Sequence, residues 1–235
     1  MQEITLSSAL NWSVERIGNE KTPIVIVDDV LDDVDALVKL ALDQTTFKAD
    51  EVSAYPGIKS ELPTEFYDAI KTVCSPLLYR QYAVPATLTE KVIERFFSVV
   101  TRQPEDLALL QRVPHYDSHE RFFFAMLYYM TDGPFGGTGF FRHRPTGFER
   151  ISVARRGEYI AAAQSYMQEN GLPESSYMQG SDDHYELIGK VDHRPNRLVI
   201  YPGNLLHSGL IDPTRDIQSN PANGRLTANV FIEFC

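Results

Sequence analysis

His115 and Asp117, separated only by Tyr116, are the residues of this chain whose types and spacing best suit a metal ion. On an extended segment, residues i and i+2 share a face, so both side chains can reach one ion while Tyr116 points away. His207 lies about ninety residues downstream, just after a Pro202-Gly203-Asn204 turn that can return it to the same mouth. Two imidazoles and one carboxylate form the facial donor set of a non-haem ferrous centre, with positions left open for a cosubstrate and oxygen. An H-x-D triplet alone is common in proteins. Its place at the end of an expected strand, and the distant histidine, give it weight.

The other histidines are weaker candidates. His119 falls in the loop that follows Asp117, His184 sits among Asp182, Asp183 and Tyr185 in an expected exposed loop, and His193 belongs to an Asp-His-Arg-Pro turn. Cys74 and Cys235 make neither a disulfide framework nor a zinc-finger set, which fits a reducing compartment. Cys74 reads as a small buried core residue.

Several elements must position the candidate ligands. Pro23 to Val27 is a short apolar, β-branched run expected to form a buried strand. Val30, Leu31, Val34, Leu37, Val38, Ala41 and Leu42 follow with helical periodicity behind Asp28 and Asp29. Pro63 opens a second helix striped by Phe66, Ile70, Val73 and Leu77, where its missing N–H costs nothing. Residues 1–88 are thus expected to form a mixed α/β support region. From Glu90 onward short β-rich runs take over. Phe96 to Val100 is expected to pair with Leu109 to Val113, which delivers His115 at its end. Phe122 to Met130, Phe140 to Arg144, Leu198 to Tyr201 and Leu226 to Phe234 are further strands, divided by glycine and proline turns. Residues 149–170 break the pattern with helical spacing at Tyr159, Ala162, Ala163, Tyr166 and Met167, stopped by Gly171. The whole reads as a single domain over residues 1–235, mainly β, a sandwich or jelly roll.

A formal net charge of −10 argues against nucleic acid or an anionic membrane as the main partner. The first residues lack the basic start and apolar run of a signal peptide. No stretch of about 18 apolar residues suggests a membrane span. The chain therefore reads as cytoplasmic, with a small molecule or a peptide as its expected partner.

From about Phe96 to Phe234 the chain resembles the Fe(II)- and 2-oxoglutarate-dependent dioxygenases, specifically their prolyl-hydroxylase-like branch. The order of motifs carries the resemblance: His115-x-Asp117, an apolar strand ending Leu127-Tyr128-Tyr129-Met130, the step Gly136-Gly137-Thr138-Gly139-Phe140, the run Leu198 to His207, and Gly224-Arg225 opening a last strand. The Pro23 to Leu31 entry is similar to the branch's N-terminal support. The resemblance implies a double-stranded β-helix (cupin-like) with N-terminal supporting helices and a helical insertion at 149–170. It implies iron held by His115, Asp117 and His207, and 2-oxoglutarate anchored through its distal carboxylate by Arg225 with help from Tyr129. A zinc site could use the same protein donors, but the open facial set with an anchoring arginine favours iron. Hydroxylation of a C–H bond is the implied reaction, on a peptide or protein side chain or on a small metabolite. Halogenation is disfavoured, because a halide needs the position that Asp117 takes. The competing reading is a non-catalytic metal- or ligand-binding scaffold on the same fold.

Three features depart from the family pattern. Arg225 stands 18 residues after His207, a long gap, with Arg215 between them as a rival anchor. The insertion can serve as lid, substrate wall or outer packing. Arg142 and Arg144 flank His143 on one expected strand face and are candidates to bind an acidic substrate group, a solvated strand edge being the alternative.

Overall fold

Phe123-Phe124-Ala-Met-Leu-Tyr-Tyr129 is apolar at every position, which a strand tolerates only where both of its faces are covered. The computed structural model, which describes residues 4–43, 46–49 and 55–235, places it so. In chain order the elements are β1 (Asn11–Ile17), β2 (Thr22–Asp28), α1 (Val34–Asp43), β3 (Lys48–Ala49), β4 (Gly57–Glu61), α2 (Thr64–Tyr82) and β5 (Glu90–Val100). They continue as β6 (Phe123–Tyr129), β7 (Thr138–His143), α3 (Val153–Asn170), β8 (Tyr185–Val191), β9 (Arg197–Pro202), β10 (His207–Gly209) and β11 (Thr227–Phe234). Eight strands form one antiparallel sheet in the order β1-β2-β9-β6-β11-β5-β4-β3, and β10-β7-β8 form a second.

The period-2 alternation of β6 divides its side chains between two cores. Phe124, Met126 and Tyr128 join Phe66, Ile70 and Leu77 of α2 and Leu37 and Ala41 of α1. Ala125, Leu127 and Tyr129 face the other way, with Val199, Tyr201, Phe140, Val191 and Leu205. The large sheet is therefore lined by the N-terminal helices on one face and packed against the small sheet on the other. Each fully buried large side chain in these layers contributes roughly 1.5–3 kcal/mol.

The architecture is mainly antiparallel β with few helices, as expected, and the helices fall where the periodicity placed them, except that Val30 and Leu31 precede α1, Leu31 in a bridge to Leu6. One strand does not. Leu109 to Val113 forms no partner for Phe96 to Val100; Leu109–Gln111 is a single 3-10 turn. The reason is topological, since β5 already pairs with β11 on one side and β4 on the other. Strands β1, β3, β4, β8 and β10 were not expected. β1 is an edge strand with a largely exposed Asn-Trp-Ser-Val-Glu-Arg-Ile sequence, so it carries little hydrophobic pattern to read.

Candidate metal centre

His115 and His207 face each other as a directly bonded antiparallel pair. The His115 N–H donates to the His207 carbonyl at 2.9 Å, and the His207 N–H returns to the His115 carbonyl at 2.8 Å. This bridge adds the His115 segment to the β10 edge of the small sheet and holds the ring centroids 4.4 Å apart. Asp117 is fixed by a second anchor, its N–H donating to the Gly203 carbonyl at 2.7 Å. The result is one donor atom from each of His115, Asp117 and His207, all within 4.8 Å of one another. Asp117 Oδ1 lies 3.9 Å from His115 Nε2, and its Oδ2 lies 3.6 Å from His207 Nε2.

The histidine orientations suit ligation. His207 Nδ1 lies 2.8 Å from the Leu205 carbonyl, which can only accept, so the ring proton sits on Nδ1 and the Nε2 lone pair faces Asp117. Burial pushes the His207 pKa down to about 4. Burial, with the neighbouring His207, does the same to His115, also to about 4, against a weaker pull from Asp117. Both rings are therefore neutral at ordinary pH, the form that binds metal. Burial raises the Asp117 pKa to about 6. A carboxylate in this position gains from a nearby cation.

These three residues line a cavity of about 840 Å³ together with Arg225. Arg225 stands just before β11 and is 3% exposed. Its Nε donates to the Gly136 carbonyl at 2.6 Å, Nη2 reaches the Gly137 carbonyl at 3.4 Å, and the guanidinium lies 5.2 Å from the Tyr129 ring centroid. Among the described residues it makes no ion pair. Asp216, a fully buried carboxylate, acts on it electrostatically without forming an ion pair, so the guanidinium fork is left with no direct carboxylate contact and can take one from a ligand. Arg215, the rival, is ion-paired to Asp212 at 2.8 Å and is not on the cavity wall.

Tyr129 is fully buried, its hydroxyl 2.8 Å from Thr138 Oγ1, and stands one layer behind Arg225 rather than on the wall. Tyr201 does reach the cavity beside the metal group, its ring centroid 4.7 Å from His207, and Tyr116, expected to point away, also borders the cavity, as do Tyr55, Tyr159 and Tyr177. Sequence reading took Tyr201 as one more core residue of a strand. The available signal was parity, because it shares a face of β9 with Val199 and stands two residues before Gly203.

Arg142 and Arg144 are not at the site, which corrects the expectation of a substrate-binding basic pair. Arg142 is the counter-ion of Glu149, a fully buried carboxylate, through Nε at 2.9 Å, and also pairs with Glu186 at 2.7 Å. Arg144 donates from Nε to the Asp182 carbonyl at 2.9 Å on the exterior. Neither lines the cavity. His184 is also not an exposed loop residue: it is buried, 2.9 Å from His143 Nε2 and stacked on Tyr166. His119 faces Glu120 outside the metal group, and His193 packs against Tyr129 and Phe135. The inserted helix α3 supplies a wall, since Tyr159 and Ile160 border the cavity.

A family model described as "Family of unknown function (DUF6445)" matches residues 8–232. No curated protein matches the sequence. Among solved structures the chain is similar to the non-heme alpha ketoglutarate dependent epimerase SnoN from nogalamycin biosynthesis, at 12% identity and a TM-score of 0.49, over 91% of this chain and 78% of that one. It is also similar to HygX from Streptomyces hygroscopicus, solved with nickel, 2-oxoglutarate and hygromycin B bound, at 11% identity and a TM-score of 0.48, over 94% and 87%. An N-substituted L-amino acid dioxygenase from Burkholderia ambifaria AMMD matches at 11% identity and a TM-score of 0.41, over 100% and 95%.

Proposed function

The chain belongs to the DUF6445 family, whose function is unknown, and for it we propose an Fe(II)- and 2-oxoglutarate-dependent oxygenase that hydroxylates a C–H bond. One observation carries this reading: a two-histidine, one-carboxylate group and a buried arginine without a carboxylate partner share one cavity. The donor set fits a ferrous ion with open positions. The arginine fits the far carboxylate of a dicarboxylic cosubstrate, which its planar fork can take through two bonds.

When bound, iron and 2-oxoglutarate supply the oxidising power, coupling cosubstrate decarboxylation to succinate and carbon dioxide with activation of oxygen. His115, Asp117 and His207 would hold the metal at the cavity wall. Arg225 fixes the cosubstrate's orientation, and Tyr129, bonded to Thr138, supports the guanidinium from behind. Tyr201, α3 and the facing sheets, read as the walls of a double-stranded β-helix, keep bulk water from the reacting atoms.

The test is spectroscopic. Ferrous iron and 2-oxoglutarate added without oxygen are expected to produce a weak visible charge-transfer band. The band disappears in His207→Ala, weakens in Arg225→Ala and persists in His119→Ala. A well-folded protein that gives no band refutes the assignment.

A further inference from the structure

Three rings pave one side of the cavity. Phe123 on β6, Phe231 on β11 and Phe96 on β5 come from adjacent strands, with successive ring centroids 5.9 Å apart and interplanar angles of 31° and 37°. A flat ring laid across such a row makes the tilted and edge-to-face contacts that aromatic pairs favour.

The inner end of the row abuts the metal group. Gly203 donates its N–H to the Phe123 carbonyl at 2.8 Å, and its own carbonyl accepts from Asp117. A Cβ on Gly203 would overlap the Phe123 ring. One glycine therefore links the backbone of Phe123 with the backbone of Asp117 and packs against the Phe123 ring. At the outer end the Lys59 ammonium lies 3.8 Å above Phe96 and 3.6 Å from Glu94 Oε1.

The cavity mouth is apolar through a specific backbone device. Phe231 and Ile232 of β11 pair with Glu94 and Val92, which leaves Ile93 as the extra residue of a bulge. A bulge places two successive side chains on one face. Val92 stays with the core while Ile93 and Glu94 both reach the cavity wall, Ile93 being 44% exposed. Leu110, 67% exposed on the 3-10 turn, also lines the mouth. Exposed apolar side chains gathered at a cavity mark a binding surface.

We propose that this cavity takes a flat, ring-containing small molecule of low net charge, laid across the Phe123–Phe231–Phe96 row with Ile93 and Leu110 beside it. Its inner edge then meets the group formed by His115, Asp117 and His207. That second statement rests on the proposed function; the platform itself does not. An extended peptide is the poorer occupant. β6, β11 and β5 are each paired on both sides, so the row offers no free strand edge to bond a peptide backbone.

N-phenyl-1-naphthylamine, a neutral fluorescent probe with flat rings, tests the platform on the full chain without metal or cosubstrate. Saturable binding is expected, about tenfold weaker in Phe231→Leu and in Phe123→Leu, which keep apolar volume but remove a ring. Trp12→Ala, which alters an exposed side chain on β1 outside the cavity, leaves the affinity unchanged. 2-Naphthol displaces the probe far better than decahydro-2-naphthol, which has the same carbon skeleton without flatness. Equal displacement by the two, unchanged affinity in both phenylalanine variants, or a loss in Trp12→Ala overturns the platform. Mn(II) then separates the two statements. Mn(II)-dependent broadening of the 2-naphthol proton resonances, absent in His207→Ala, supports placement against the metal group. Binding without that broadening overturns the placement and leaves the platform standing.

Discussion

Arg225 is held by the carbonyl oxygens of Gly136 and Gly137, which accept its hydrogen bonds without neutralising its charge. A carboxylate entering the cavity gains charge-assisted bonds worth roughly 1.5–3 kcal/mol. Arg225→Ala is therefore expected to weaken 2-oxoglutarate binding about 10- to 100-fold in the Mn(II)-loaded protein, and Arg225→Lys to recover only part, since lysine lacks the fork. Calorimetric titration measures this; unchanged affinity removes Arg225 as the anchor. Asp216 acts behind it. This buried carboxylate accepts the Gly136 N–H at 3.0 Å and the Asp212 N–H at 2.8 Å, so it fixes the loop that fixes Arg225. Asp216→Asn should weaken 2-oxoglutarate by a smaller factor than Arg225→Ala while iron affinity, read by the same titration, stays put. That His115, Asp117, His207 and Arg225 come to one cavity was legible in sequence because each belongs to a short ordered motif. The fate of Arg142 was not, because Glu149 and Glu186 become its partners only after the chain folds. Tyr129 and Tyr201 show the same limit, since strand parity gives a face but not which of two buried rings borders open space.

Elements place His115, Asp117 and His207 through two connections between strands. The His115–His207 bridge sets both imidazoles, while the turn after β9 sets Asp117 through the Gly203 carbonyl. Gly203→Ala forces its new methyl into the Phe123 ring, and overpacking of this kind costs about 1–3 kcal/mol. The expected result is a lower denaturation midpoint together with weaker ferrous binding, because the displaced turn carries Asp117. In a double-mutant cycle with Phe123→Leu the two changes should be clearly non-additive. Simple additivity means the ring and the turn are independent. The turn itself was readable as Pro202-Gly203-Asn204, but its double duty was not. Pairing exerts a similar veto elsewhere: β5 has both edges filled, so Leu109 to Val113, strand-like by composition, becomes a turn that leaves Leu110 at the mouth.

Across the whole molecule, burial depresses the pKa of five histidines: His115, His143 and His207 to about 4, His193 to about 3, and His184 in the same direction. A histidine whose folded pKa lies below its unfolded value binds fewer protons when folded. Its contribution is complete above the unfolded value near 6.5 and drains away as pH falls towards the folded value. Asp117, raised to about 6 by burial, and Asp216, also raised by burial, work in the opposite sense, as does the relief of the −10 net charge on acidification. The charge effect is screened by salt, whereas the buried groups are screened much less. Asp28, held low by its bond to Arg197, keeps its stabilising contribution through this window and loses it only below the ordinary carboxylate range. At high ionic strength the metal-free protein is therefore expected to lose Tm steadily between pH 6.5 and 4. In a chain of this size each kcal/mol lost lowers Tm by about 2–4 °C. Zn(II), used as a redox-inert occupant of the same donors, should flatten the slope, because a bound ion displaces protons from His115 and His207. His207→Ala should abolish that flattening and keep the remaining slope. Thermal melts across the window, with and without Zn(II), measure both effects, and a Tm independent of pH contradicts the neutral histidines from which the metal reading starts.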